Sequence, residues 1–85
     1  MAVRILYFAA LREALGTDGE QLDLPAELTT VAALRGWLAR RGGVWAERFA
    51  AGPALRCAVD QVMAGDDAEI AAASEIAFFP PVTGG

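Results

Sequence analysis

One amphipathic segment, at residues 30–41, limits the folds that this chain of 85 residues can form. Val31, Leu34 and Leu38 recur at helical spacing, and Trp37 widens the apolar stripe. This is the one substantial helix that the pattern predicts, so its stripe has to be buried against another layer. The sequence therefore predicts a single α+β domain in which a sheet packs on one main helix.

The remaining apolar segments alternate with polar residues, as strands do. They predict five strands, at residues 3–8, 20–24, 55–59, 62–64 and 75–79. In the first strand Val3, Ile5 and Tyr7 should face one side of the sheet, and Phe8 the other. Shorter helical stretches are predicted at residues 9–15 and 44–51, whereas residues 69–74 fit either a loop or a single helical turn. The predicted order is β-β-α-β-β-β.

Local signals bound the main helix. Thr29 or Thr30 can cap its first turn, and Gly42-Gly43 ends it. Gly36 weakens the helix interior, and its predicted role is close packing. The larger aromatic residues of the helical stretches are predicted in the core: Trp37, Trp45 and Phe49.

The charged residues exclude several functions. The chain has a net charge of −4, seven arginines, no lysine and no histidine. An acidic domain without a basic stripe is a poor ligand for nucleic acid or an anionic membrane, and its net charge favours a basic protein partner. Without histidine it lacks the usual general base and a Cys/His set for zinc, and no phosphate-binding loop occurs. We therefore expect a reacting group, not a complete active site, and neither a metal nor a tightly bound cofactor.

Cysteine usage and hydropathy predict a cytoplasmic location. Cys57 is the only cysteine, so no internal disulfide can form. We expect it to be a buried apolar residue of the third strand. No apolar run approaches the roughly 20 residues that cross a membrane, and no signal peptide is recognisable.

The C-terminal segment has an unusual composition. Pro80 and Pro81 follow the last predicted strand and cannot join a sheet or helix, so we predict a domain at residues 1–79 and an extended tail at 80–85. Such a tail could reach roughly 20 Å. Gly84 and Gly85 lack side chains and could enter a narrow slot. The α-carboxylate of Gly85 is thus the predicted functional group.

The run Phe-Phe-Pro-Pro-Val-Thr-Gly-Gly at residues 78–85 resembles the small-subunit family of molybdopterin synthase, one of the ubiquitin-like sulfur carriers. The resemblance continues through Tyr-Phe-Ala at 7–9, Leu-Arg-Glu at 11–13, the main helix and Ala-Val-Asp-Gln at 58–61. It covers the whole chain in order. The terminal Gly-Gly is shared by all such carriers, whereas the Phe-Phe-Pro-Pro-Val run is much more specific.

This resemblance implies a β-grasp fold with a mixed sheet. It implies a cycle in which an adenylyltransferase similar to ubiquitin activators joins the Gly85 carboxylate to AMP from ATP, and a sulfur donor converts the adenylate to a thiocarboxylate. The large synthase subunit then receives the tail, and the sulfur passes to cyclic pyranopterin monophosphate. The assembly implied is a heterotetramer of two small and two large subunits.

The resemblance also implies roles for particular residues. The tail residues that would enter the partner are Gly84, Thr83, Val82, Pro81 and Pro80, although Val82 and Thr83 could be mere spacers. Phe79, Phe8 and Met63 match the family's docking surface, with ordinary core packing as the alternative. Arg12 and Glu13 are either solvated or partner contacts.

Two turns depart from the family pattern. Asp60 stands where the family usually has asparagine, and Ala73-Ser74 where it usually has Gly-Asp. Three other functions remain open: a sulfur carrier for thiamin, cysteine or transfer-RNA thiolation, a ubiquitin-like protein modifier, and a plain interaction module. The Phe-Phe-Pro-Pro-Val run argues against the first of these.

Overall fold

The computed structural model describes residues 2–50 and 55–81. Its elements are β1 (Ala2–Tyr7), α1 (Ala9–Leu15), β2 (Gly19–Asp23), α2 (Val31–Ala39), α3 (Gly43–Phe49), β3 (Arg56–Val59), β4 (Val62–Ala64) and β5 (Glu75–Phe79). The sheet order is β2-β1-β5-β3-β4. β1 and β5 run parallel at its centre, and the other neighbouring strands are antiparallel. The predicted α+β fold with a mixed five-stranded sheet is confirmed.

The main helix, α2, begins where its capping residue predicts. The Thr30 hydroxyl accepts a hydrogen bond from the Ala33 amide at 3.2 Å, which satisfies one of the free donors of the first turn. The helix ends at Ala39, two residues before the predicted end. Gly42 then takes a left-handed φ of +79°, which lets the chain turn directly into α3.

One face of the sheet carries the core. The alternation of β1 is as predicted, since Val3, Ile5 and Tyr7 are buried. They pack with the buried stripe of α2 and with Leu11, Leu24, Phe49, Cys57, Ile70, Ala73, Ile76 and Phe78. Trp37 and Trp45 are only half-buried at the edge of this core, so the prediction holds in full for Phe49 alone. None of the helices in the described part of the chain is long and apolar enough to span a membrane.

A polar network ties the edge strand β2 to the helical layer. The Tyr7 hydroxyl donates to Glu20 at 2.8 Å, and Arg41 donates two hydrogen bonds to the same carboxylate, at 2.8 and 3.2 Å. The Arg41 guanidinium lies 4.3 Å from the Trp45 ring centroid. Burial and the Glu20 contact raise the pKa of Tyr7 above its ordinary value, and the hydrogen bond from Arg41 lowers the pKa of Glu20. The network satisfies the phenol of a core tyrosine.

Residues 69–74, for which the sequence predicted either a loop or a single helical turn, form turns that are hydrogen-bonded to the residues just before α2. Glu69 makes an isolated antiparallel bridge with Thr30, and the Ile70 amide donates to the Thr29 carbonyl at 3.0 Å. Ile70 itself has no exposed surface. Two buried apolar side chains, Ile70 and Ala73, and one bridge therefore position this connection.

The two departures from the family pattern meet in space. Asp60 and Gln61 have left-handed φ values of +48° and +70° in the β3–β4 turn. The Asp60 carboxylate accepts hydrogen bonds from the amides of Ser74 at 3.0 Å and Glu75 at 2.9 Å. A serine at position 74 places no second carboxylate beside Asp60, so the departures are compatible with each other. The prediction that Asp60 is a turn residue is confirmed.

Gly36 offers a test of the helix. It is exposed, and a Cβ there would meet nothing within 4 Å, so the predicted close packing is wrong. We expect Gly36→Ala to raise the free energy of unfolding by about 0.5–1 kcal/mol, because alanine has less conformational freedom to lose. Urea denaturation measures it.

The matched control is Gly16→Ala. Gly16 also has free space around it, but its φ is +76° at the end of α1. Alanine there should be destabilising, because its Cβ is strained in the left-handed region. Stabilisation by both substitutions would show that backbone conformation is not what separates the two positions.

Candidate functional site

The candidate site begins where β5 ends. Phe79 is the last strand residue, and Pro80 and Pro81 continue without regular structure, as the missing amide donors require. Val82, Thr83, Gly84 and Gly85 lie outside the described residues. Their roles, including that of the Gly85 carboxylate, stay predictions.

The strand register brings Phe8 and Phe79 together. Tyr7 pairs with Phe78 across the parallel β1–β5 ladder, and the Phe8 amide donates to the Phe78 carbonyl at 3.2 Å. Because Tyr7 and Phe78 face the core, the next residues, Phe8 and Phe79, fall on the opposite side. Phe8 is 44% exposed and Phe79 is half-buried. Core packing is therefore the wrong interpretation for Phe8.

Met63 joins the same face from the other edge of the sheet. Ala58 of β3 pairs with Met63 on β4 and with Ala77 on β5, so the three side chains form one row on the outer side. Met63 is 57% exposed, and it lies two strands from β5, about 10 Å away. We call the outward set formed by Leu6, Phe8, Ala58, Met63, Ala77 and Phe79 the open-face patch.

The sequence named only three members of this patch. Leu6, Ala58 and Ala77 were missed as functional candidates, although period-two alternation places Leu6 with Phe8 and Ala77 with Phe79. Arg56 was missed as well. It pairs with Phe79 across the β3–β5 ladder and is exposed. Only the register of that ladder could reveal this neighbour.

A groove of about 380 Å³ lies beside Phe8, between β1 and β2. On its lining Leu6 faces Gly19, where a Cβ would come within 2.7 Å of the Ile5 carbonyl oxygen, so the close approach of the two strands requires glycine there. Its charged walls are formed by Arg4, Arg12, Asp18 and Glu20. The apolar patch thus merges into a polar groove at the edge of the sheet.

Cys57 is not part of the site. It is 3% exposed, on the core side of β3, as predicted, and burial raises the pKa of its thiol to about 11. Since the thiolate is the reactive form, we expect the native protein to resist Ellman's reagent and to react fully once unfolded by guanidinium chloride. Rapid reaction of the native protein would show that the thiol is accessible. Equal ellipticity before and after labelling is the control for unfolding by the reagent.

The described residues contain no group of three or more potential metal ligands of the His, Cys, Asp and Glu types. Within them, the candidate site consists of an apolar outer face of the sheet and the start of a proline-stiffened tail. An exposed apolar face of this kind is typical of a surface that binds another protein.

Comparison with known proteins identifies the family of the chain. Residues 5–85 match the model of the ThiS family. The molybdopterin synthase sulfur carrier subunit of Escherichia coli (strain K12) is 40% identical over 98% of this chain and 99% of its own length. Among solved structures, molybdopterin converting factor subunit 1 from Pyrococcus furiosus has a TM-score of 0.71 and 26% identity, covering 96% of this chain and 99% of its own. SAMP1 from Haloferax volcanii has a TM-score of 0.66 and 26% identity over both full chains. This ubiquitin-like domain therefore belongs to the ThiS family.

Proposed function

We propose that this chain is the sulfur carrier subunit of a molybdopterin synthase. The observation that carries the proposal is its 40% identity, over nearly the full length of both chains, to the Escherichia coli protein of that name. In this role it takes part in an enzyme complex as the sulfurtransferase subunit. The general acids and bases come from its partners, because the chain has neither histidine nor lysine.

The geometry supports a division between docking and chemistry. Phe8, Phe79 and Met63 lie on one face, and that face ends where β5 gives way to Pro80. A partner that covers the open-face patch is thereby held next to the start of the tail. Binding energy from the patch can then position the Gly85 carboxylate, since Gly84 and Gly85 have no side chains with which to bind a partner.

The proposed chemistry has three steps on Gly85. Its carboxylate attacks the α-phosphorus of ATP and displaces pyrophosphate, because oxide is too poor a leaving group for direct exchange. A sulfur nucleophile at the oxidation level of sulfide then attacks the acyl carbon, and AMP leaves. The thiocarboxylate sulfur finally bonds to a side-chain carbon of cyclic pyranopterin monophosphate and displaces the oxygen substituent of that carbon, and water then cleaves the acyl–sulfur bond, which leaves the sulfur on the pterin and regenerates the carboxylate. Two deliveries supply the dithiolene.

Two partners follow from this cycle. An adenylyltransferase similar to ubiquitin activators supplies the ATP site, and the large synthase subunit supplies the pterin site. We propose a heterotetramer of two small and two large subunits for the synthase. The carrier itself binds neither a metal nor a resident cofactor, and works in the cytoplasm.

The experiment has two stages. The chain is incubated with ATP, a cognate activating enzyme and a sulfide source, and its intact and C-terminal peptide masses are measured. We expect the mass gain of one oxygen-to-sulfur exchange, confined to the peptide that contains Gly85. Adding the large subunit and cyclic pyranopterin monophosphate should then return the carrier to its original mass and form molybdopterin.

Other outcomes separate the alternatives. No mass gain with any activator would contradict a sulfur-carrying function. A gain that is not discharged by the large subunit and pterin would favour another thiolation pathway. A ladder of heavier conjugates would favour a protein modifier.

A further inference from the structure

The arginines near the open-face patch indicate the charge of the partner surface that binds there. The net charge of −4 by itself predicts a basic partner. Arg56, however, is exposed beside Phe79 on the outer side of the sheet, and Arg12 follows Phe8 across the first turn of α1 and lines the groove. The exposed cation beside Phe79 thus contrasts with the negative net charge of the whole domain.

These two arginines are not neutralised within the described part of the chain. The ion pairs found there join Arg35 to Asp66 at 3.2 Å and Arg41 to Glu20 at 2.8 Å, so neither involves Arg12 or Arg56. Asp18 and Glu20 share the groove with Arg12, and Glu20 is bound by Arg41, so Arg56 is the less compensated of the two arginines. Two guanidinium groups therefore flank Phe8 and Phe79 from opposite sides.

The opposite end of the same face differs. Arg4 of β1 pairs in register with Glu75 of β5, so residues of opposite charge are neighbours on the two strands there. At the end where the tail begins, Arg56 is paired instead with the apolar Phe79. A partner with complementary charges would therefore bind this face in one orientation.

We propose that the large synthase subunit covers the open-face patch with an apolar surface whose rim carries carboxylates, one of them placed to meet Arg56 and another to meet Arg12. This inference rests on the proposed function, because it describes the subunit that receives the tail. The carboxylates steer association and fix the orientation in which Phe79 and the tail meet the partner. The apolar patch supplies the contact area.

Charge reversal tests the proposal. The affinity of the purified carrier for the cognate large subunit is measured by isothermal titration calorimetry at low and high salt. Arg56→Glu should weaken binding by about tenfold at low salt, because it puts like charges in contact. Arg12→Glu should weaken binding less than Arg56→Glu does. Arg56→Gln should have an affinity between those of the wild-type carrier and Arg56→Glu. High salt should weaken the wild-type complex and reduce the difference in affinity between the wild-type carrier and the Arg56 and Arg12 variants.

Arg40→Glu is the matched control. Arg40 is exposed at the end of α2, on the helical side of the domain, and its reversal changes the net charge by the same amount. It should alter binding by no more than about twofold, because the interaction is screened over that distance. Equal losses of affinity for Arg40→Glu and Arg56→Glu would contradict the proposal that the partner's rim carries carboxylates. Tighter binding of Arg56→Glu than of the wild-type carrier would contradict it as well.

The failure of this inference can be told from the failure of the proposed function. A wild-type carrier that does not bind the large subunit at either salt concentration would contradict the proposed function, and the inference with it. A wild-type carrier that binds tightly and without salt dependence contradicts only the acidic rim. Far-ultraviolet circular dichroism confirms that each variant is folded before it is titrated.

Discussion

Deleting Gly85 should abolish sulfur transfer and leave the fold intact. The deletion moves the terminal carboxylate back by one residue, about 3.5 Å in an extended chain. A misplacement of about 1 Å at a reacting group can already cost about 100-fold in rate, so we expect a loss of at least that size. Single-turnover transfer to cyclic pyranopterin monophosphate, followed by mass spectrometry, measures it.

Two further measurements make this result specific. Thermal unfolding should be unchanged, because the core lies within residues 2–79 and β5 ends at Phe79. Gly85→Ala keeps the length of the tail and adds one methyl group. It should lose less activity than the deletion if the length of the tail matters more than the width of its last residue. A deletion variant that transfers sulfur at the wild-type rate would refute the role of Gly85.

Phe78→Ala should remove a large part of the stability of the domain. Phe78 lies on the central strand with no exposed surface, and its ring meets that of Phe49 edge to face, at a centroid distance of 5.1 Å. Truncating a buried phenylalanine costs about 3–5 kcal/mol. A chain of 85 residues has roughly 4–13 kcal/mol to lose, at about 0.05–0.15 kcal/mol per residue. Urea denaturation followed by circular dichroism should show a large fall in the midpoint, or an unfolded variant.

Phe79→Ala is the control on the neighbouring residue. Phe79 is half-buried on the open face, so its truncation leaves no enclosed cavity and should cost clearly less stability than Phe78→Ala. Its effect should appear in the affinity for the large subunit instead. Equal losses of stability at the two positions would mean that the two faces of β5 are not distinguished as the register requires.

Local patterns account for what the sequence predicted well. Short-range spacing decides whether a segment is a helix or a strand, and Thr30, Gly16 and Pro80 mark boundaries by the conformations and hydrogen bonds that they permit. Alternation likewise predicted that Val3, Ile5 and Tyr7 share one face of the sheet and that Phe8 lies on the other. The burial of Trp37 and Trp45 was predicted less accurately. A half-buried position at the edge of the core and a fully buried position both show the same helical spacing of apolar residues.

The sequence by itself determined the fold class, the order of the elements and the composition of the tail, because each depends on residues close together in the chain. Only the tertiary structure decided which strands are neighbours. Non-local pairing set Phe8 beside Phe79, Met63 in one row with Ala77, and Arg56 next to the start of the tail. Register is set by long-range packing, so a charge asymmetry built across three strands cannot be read from any single segment.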